Sequence, residues 1–307
     1  MKSPAKFKPT PVVAYIFVAG TAFLFATSTV IQRGVHEDLP PFGATFWRWF
    51  LAALVLLPIV WRELPSKRAL ISKYWHLILL LGLLLVGCSA VLFLGLNFTT
   101  AINGSLINAS QPALTVLPAW LLSRDRITTG QSIGILAALG GIFVMVSQGN
   151  LVVLLALEFN VGDILALAAI LGWTIYATSL HRLPSELGFS VTLFVIFLAG
   201  SLSVLPFYII ESAFFRPMPL SVSAAGIIAF LGIVTSLGGM AMWNAALRTV
   251  GPNRATIFLN LVPVFGVSLA IIFLGEQLFV YHLAGAGLVG LGIVMVVLRS
   301  RRRSESG

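Results

Sequence analysis

What this chain has little of decides most of its class. Only 9% of its 307 residues are charged, and Asp and Glu together number 10. A water-soluble globular domain keeps far more ions on its surface. The single cysteine, Cys88, excludes a disulfide framework and reads as a small residue inside an apolar run. The four histidines are scattered at the ends of apolar runs, no His-Glu-x-x-His or Gly-x-Ser-x-Gly occurs, and no two carboxylates share a run. Hydrolysis by metal or nucleophile is thereby left without its residues. No motif asks for a metal or any other cofactor.

What is present is hydrophobicity, at 58% of residues and a mean hydropathy of +1.01. Ten apolar runs are long enough to cross ~30 Å of hydrocarbon as helices. They cover about 12–32, 42–61, 75–97, 101–122, 129–148, 161–181, 190–210, 222–248, 253–275 and 280–298. The predicted fold class is an all-α integral membrane protein of ten transmembrane helices, with membrane lipid as an obligatory partner. Too little chain lies between the runs for a soluble domain.

The net charge of +9 belongs to the membrane, not to nucleic acid. With the N-terminus in the cytoplasm, sixteen of the nineteen Lys and Arg fall on the cytoplasmic side, the Arg301 to Arg303 tail among them. Arg33 and Arg216 fall outside, and Arg48 lies within a run. This is the positive-inside bias, and it predicts a multi-pass plasma-membrane protein with both termini cytoplasmic.

The pattern from Gly95 to Val146 returns from Ala246 to Val297 without a gap. Pro112 falls on Pro263, Asp125 on Glu276, Gly134 on Gly285, and Gly141-Ile142 on Gly292-Ile293. Two copies, each of five spans, must cross the membrane in opposite senses, which is inverted-repeat architecture around a central cavity. The expected organisation is a cytoplasmic tail over 1–11, repeats over 12–148 and 161–298 joined by an external linker over 149–160, and a basic tail over 299–307.

Polar residues at helical spacing mark the faces directed at that cavity. The first span carries Thr21, Phe25, Ser28 and Gln32, and the third Ser89, Phe93 and Asn97. The fourth has the strongest stripe, Gly104, Asn108, Gln111 and Thr115, beside Pro112. In the second copy Thr256 and Asn260 precede Pro263, the sixth span carries Trp173 and Tyr176, and the eighth sets Ser236, Met240, Trp243 and Asn244 on one side. Ser28, Gln32, Phe93, Asn97, Asn108, Gln111, Thr115, Trp173, Tyr176, Trp243, Asn244, Thr256 and Asn260 are the candidate substrate-binding set, for a small zwitterion or polar metabolite.

Pro112 has no N–H to offer the carbonyl of Asn108, nor has Pro263 for that of Leu259. A mid-membrane carbonyl freed in this way needs a side chain, water or ligand, so both prolines are candidate hinges lining a cavity. Trp173 is far from either interface, which leaves core packing or a binding platform for an apolar group. Arg48, among interfacial tryptophans, reads either as a snorkelling side chain or as a basic residue on the substrate path. Gly130 and Gly134 in the fifth span and Gly285, Gly287, Gly290 and Gly292 in the tenth permit close helix packing, within the chain or in a homodimer.

These residues together resemble the EamA-type transporters of the drug/metabolite transporter superfamily. The resemblance covers nearly the whole chain. It rests on the arginine of Phe46-Trp47-Arg48, on Pro112 and Pro263, on Asp125 and Glu276, on the Gly141-Ile142 and Gly292-Ile293 endings, and on the Gly162 to Trp173 run. It implies ten helices, a bacterial inner-membrane location, and export of metabolites, amino acids included. Its motifs are diffuse and identify a family better than a substrate. The YddG-like amino-acid exporters are a branch that the aromatics Phe93 and Trp173 would suit. Export or uptake of other metabolites or drugs is the alternative, and an intramembrane enzyme or receptor the remote one. Asp125, Glu158, Asp163, Glu211 and Glu276 all fall at span ends or in loops, so transport without an imposed proton gradient is expected. Asp125 and Glu276 read first as groups that cap or neutralise helix boundaries.

Overall fold

In hydrocarbon every backbone N–H and C=O must be satisfied by the chain itself, and an α-helix does so within one segment. The computed structural model describes residues 10–114, 129–150, 160–250 and 261–304, and among them every regular element is helical. In chain order these are α1 (Pro11–Gly34), α2 (Pro41–Val60), α3 (Leu64–Lys73), α4 (Trp75–Gly95), α5 (Ala101–Ala109), α6 (Gln111–Leu114), α7 (Thr129–Val146), α8 (Val161–Ser179), α9 (Phe189–Phe214), α10 (222–250), α11 (Leu261–Leu274) and α12 (Val280–Ser304).

Six of them hold a stretch long and apolar enough to cross a membrane: α1, α2, α4, α8, α9 and α10. Three further apolar helices are shorter, at Ser132–Met145, Leu261–Leu274 and Val280–Gly292. The run 101–122 departs most from a single span. Its helix stops at Ala109, turns at Ser110 and restarts at Gln111. The missing N–H of Pro112 explains the break. The Ser110 N–H turns back to Ile107 O at 3.1 Å and its hydroxyl donates to the same carbonyl at 2.6 Å. Thr115 and Asp125 lie outside the described residues, as do Thr256 and Asn260 before α11.

Two elements were not legible as such. The basic stretch after Arg62 forms α3, whose Leu64, Leu70 and Ile71 pack on the bundle. Within α4 and α10 the backbone widens into π-helix, at Leu83–Gly87 and Phe230–Gly238. The offset that carries Pro112 onto Pro263 carries the first stretch into the second.

The helices pack in matched pairs. α1 lies on α10 and α11, and α8 lies on α4 and α5; α4 lies on α9, and α10 on α2. α2 packs on α9, α5 on α11, and α7 on α12. Exchanging each helix for its counterpart in the other copy returns the same set of pairs. The α7–α12 pair is the closest. A Cβ on Gly141 would stand 2.5 Å from Gly285 O, and one on Gly292 would strike the carbonyl of Gly134. These glycines serve packing inside the chain, while Gly287 and Gly290 face open space.

Candidate functional site

The end of the bundle that carries Arg33 is held by carboxylates placed at helix starts. α11 ends at Leu274, and the next residue, Gly275, has a φ of 65° that suits glycine and turns the chain so that Glu276 faces α5. There its carboxylate accepts from Ala101 N at 2.8 Å and Ile102 N at 2.9 Å, two donors that have no partner within their own helix. Arg33 of α1 lies 4.0 Å from the same carboxylate and donates to Leu96 O at 2.7 Å. Glu211 of α9 does likewise for α2, accepting from Phe42 N at 3.3 Å and Gly43 N at 2.8 Å. Arg216 closes the neighbouring loop through the carbonyls of His36, Glu37 and Leu39.

A second network joins α5, α8 and α12 at this end. Asp163 accepts from Thr99 Oγ1 at 2.5 Å and from Asn103 Nδ2 at 3.2 Å. Asn103 Oδ1 meets His282 Nε2 at 3.0 Å, and His282 Nδ1 accepts from Phe279 N at 3.0 Å. Since Nδ1 is an acceptor, the neutral ring carries its proton on Nε2 and donates it to Asn103. Asp163, Asn103 and His282 are all buried, so the chain of hydrogen bonds meets a need that water does not.

The two π-helical stretches receive donors from the opposite copy. In a π turn the usual i to i−4 bonding is shifted, which leaves carbonyls for other partners. Trp173 of α8 donates its indole N–H to Leu85 O of α4 at 3.1 Å, and Thr21 of α1 reaches Gly239 O of α10, the residue after the second stretch, at 3.3 Å. At α10, Ser236 Oγ donates to Leu231 O at 2.9 Å and accepts from Arg48 Nε of α2 at 2.7 Å. Arg48 is buried within the bundle, so its side chain does not reach out to the surface as a snorkelling arginine would.

The residues picked by their spacing fall into distinct surroundings. Gln32 and Ser28 are buried together, Gln32 Nε2 donating to Ser28 O and Oγ at 2.9 Å each, and Gln32 Oε1 has no hydrogen-bond partner among the described residues. Asn97 turns back to Phe93 O at 2.9 Å. Phe93 is buried among Leu39, Ala44 and Ala224, and Tyr176 is buried in the core between α2, α4 and α9. Trp173 packs partly buried beside α4 and α8, and Trp243 against Ala14, Val18 and Ala246. Asn108 and Gln111 are half-buried on either side of the break at Ser110. The side chains of Pro112 and Asn244 lie outside the described residues, while Pro263 lies within α11. Thr99, Asn103 and His282 were not singled out by spacing. Asn103 sits one position off the Gly104 stripe, so helical periodicity assigned it to another face.

The arrangement offers no nucleophile paired with a base, and among the described residues no group of His, Cys, Asp and Glu fit to hold a metal. It offers helix ends fastened by charge and an interior with unsatisfied polar atoms. Residues 12–147 and again 160–298 match the EamA-like transporter family. The chain is 28% identical to an uncharacterised transporter, YyaM of Bacillus subtilis (strain 168), over 91% of this chain and 92% of that protein. It is 27% identical to the aromatic amino acid exporter YddG of Salmonella typhimurium (strain 14028s / SGSC 2262), over 91% and 95% respectively. A solved crystal structure aligns with 96% of this chain and 99% of its own at a TM-score of 0.61 and 18% identity, a likeness of fold alone. These named relatives are transporters, not enzymes.

Proposed function

Because the chain belongs to the EamA-like transporter family, we propose that it is a secondary transporter that exports small metabolites, amino acids with aromatic or apolar side chains foremost. It works by alternating access of two inverted repeats in the plasma membrane, with both termini cytoplasmic. The observation that carries this reading is the exchange symmetry of the main packing: the helix pairs named above have counterparts in the other copy, and both third helices carry a π-helical stretch. Two halves of one shape and opposite orientation can trade conformations, which is the physical basis of alternating access. The state described here is fastened at the Arg33 end by Glu276, Glu211 and Asp163, and the exchange must release those bonds.

The candidate substrate residues in this reading are Ser28, Gln32, Asn97, Asn108 and Gln111, with Trp173, Tyr176, Phe93 and Trp243 as the aromatic candidates. Thr115, Asn244, Thr256 and Asn260 join it on the strength of their spacing. The unpartnered Gln32 Oε1 supports a polar ligand, since a buried acceptor without a donor costs about 1–3 kcal/mol. The test is counterflow of labelled L-phenylalanine, L-leucine and L-alanine in liposomes containing the purified protein. Exchange with phenylalanine or leucine is expected; exchange with none of the three, beside exchange with some other metabolite or drug, would move the chain to another substrate class.

A further inference from the structure

Arg48 is a buried cation for which the described residues supply no anion. It sits on the third helical turn of α2, about 10 Å along the axis from Pro41, and only 8% of its surface is exposed. Its neighbours on the same face, Ala44 and Ala52, are buried too. Ala44 packs with Phe93 of α4 and Ala224 of α10, which places Arg48 at the junction of α2, α4 and α10. A Cβ on Gly232 would stand 2.6 Å from Arg48 O, and this close approach brings Ser236, one turn further, within reach of the guanidinium.

The contacts of the guanidinium leave its outer edge unused. Nε donates to Ser236 Oγ at 2.7 Å, and the carbon of the group lies 5.2 Å from the centre of the Trp49 ring. Among the described residues no carboxylate comes within ion-pair distance. The indole N–H of Trp49 is buried and has no acceptor among the described residues either. The junction therefore has a surplus of donors and one full positive charge. An unpaired charge taken out of water is costly, and the flexible arm of an arginine near the end of a spanning helix would snorkel if nothing held it inside. Ser236 holds it, presenting Nη1 and Nη2, whose planar fork matches the two oxygens of a carboxylate.

We infer that Arg48 is the specificity-determining receptor for a carboxylate on the transported molecule, with Ser236 as the residue that positions it. The inference rests on the transport reading and sharpens it. The substrate class is small carboxylates, and amines or alcohols of the same shape are rejected because they leave the guanidinium unpaired. A phosphate-bearing ligand shares the anionic chemistry but would use a third oxygen that this junction has no further cation to meet.

The experiment uses the full-length protein in detergent and in liposomes, with L-phenylalanine, phenethylamine and benzoate as probes. Thermal unfolding in detergent should be raised by millimolar L-phenylalanine and benzoate, and not by phenethylamine. Arg48→Gln should abolish the shift. Arg48→Lys should keep a carboxylate preference weakened by about tenfold, since lysine is a point charge without the fork. Ser236→Ala should weaken it without removing it. A shift caused equally by phenylalanine and phenethylamine, a shift retained in Arg48→Gln, or no shift with any probe would each overturn the inference. Should Arg48→Gln fail to fold, the wild-type probe series and Arg48→Lys decide. Benzoate stabilisation that needs Arg48, without phenylalanine counterflow, would keep the receptor and discard amino-acid transport. Phenylalanine counterflow competed equally by phenethylamine, with KM unchanged in Arg48→Lys, would keep transport and discard the receptor.

Discussion

Glu276 and Ala101, 175 residues apart in the chain, meet through a hydrogen bond of 2.8 Å at the start of α5. The carboxylate does for a foreign helix what a capping residue does for its own. It supplies acceptors to first-turn N–H groups and negative charge to the positive end of the helix dipole. Glu276→Gln keeps one acceptor and loses the charge, so a loss of about 1 kcal/mol is expected. Thermal unfolding of wild type, Glu276→Gln and Glu276→Ala should fall in that order, and equal stability of all three would show the cap to be idle.

The same carboxylate bears on energy coupling. It is engaged in fastening, and the other described carboxylates near it, Asp163 and Glu211, are engaged with Thr99, Asn103, Phe42 and Gly43. Substrate should therefore run down its own gradient with equal pH on both sides of the liposome and ionophores present. Movement only under an imposed pH difference, lost in Glu276→Gln, would make that residue the coupling group.

Trp173 supplies a donor and a ring, and two substitutions separate them. Trp173→Phe keeps much of the ring surface and removes the indole donor from Leu85 O, which still accepts from Cys88 N, so a loss of about 0.5–1.5 kcal/mol is expected. Trp173→Ala also removes the surface, with an expected total of about 3–5 kcal/mol. If the ring also meets substrate, competition by phenylalanine should fall more than competition by alanine in Trp173→Ala. An equal fall for both would assign Trp173 to packing alone.

Asn108 and Gln111 flank the helix break at Ser110, and both are half-buried. Replacing either by alanine should lower counterflow several-fold and leave the protein folded in the membrane, as judged by a single symmetric peak in gel filtration. Unchanged counterflow in both would place the substrate elsewhere.

Much of the architecture was legible because it is written locally. Apolar length gives the spans, the absent N–H of Pro112 gives the break, and the correspondence of Pro112 with Pro263 gives the two copies. The π-helical stretches were hidden for a different reason. Leu83 to Gly87 reads as ordinary apolar helix, and the shifted bonding takes its partner from Trp173, 88 residues away. The Asp163 network was hidden likewise, since Asn103 lies 60 residues from Asp163 and 179 from His282. Periodicity reports which face of a helix is polar, not which distant helix meets it.

The crossing of α7 and α12 makes its own prediction. Gly141→Ala would push a methyl group into the Gly285 carbonyl, and the two backbones would have to part. It should unfold at a clearly lower temperature than Gly287→Ala, whose added methyl meets nothing within 4 Å. Comparable melting of the two variants would contradict the close approach.

Where two helices meet backbone to backbone there is no layer of side chains to slide or re-pack between them. The α7–α12 pair joins one copy to the other in this way, and α4 meets α9 likewise at Gly82 and Gly200. In the proposed transport cycle such a seam would move as one rigid unit, so a covalent link across α7 and α12 is expected to leave counterflow intact.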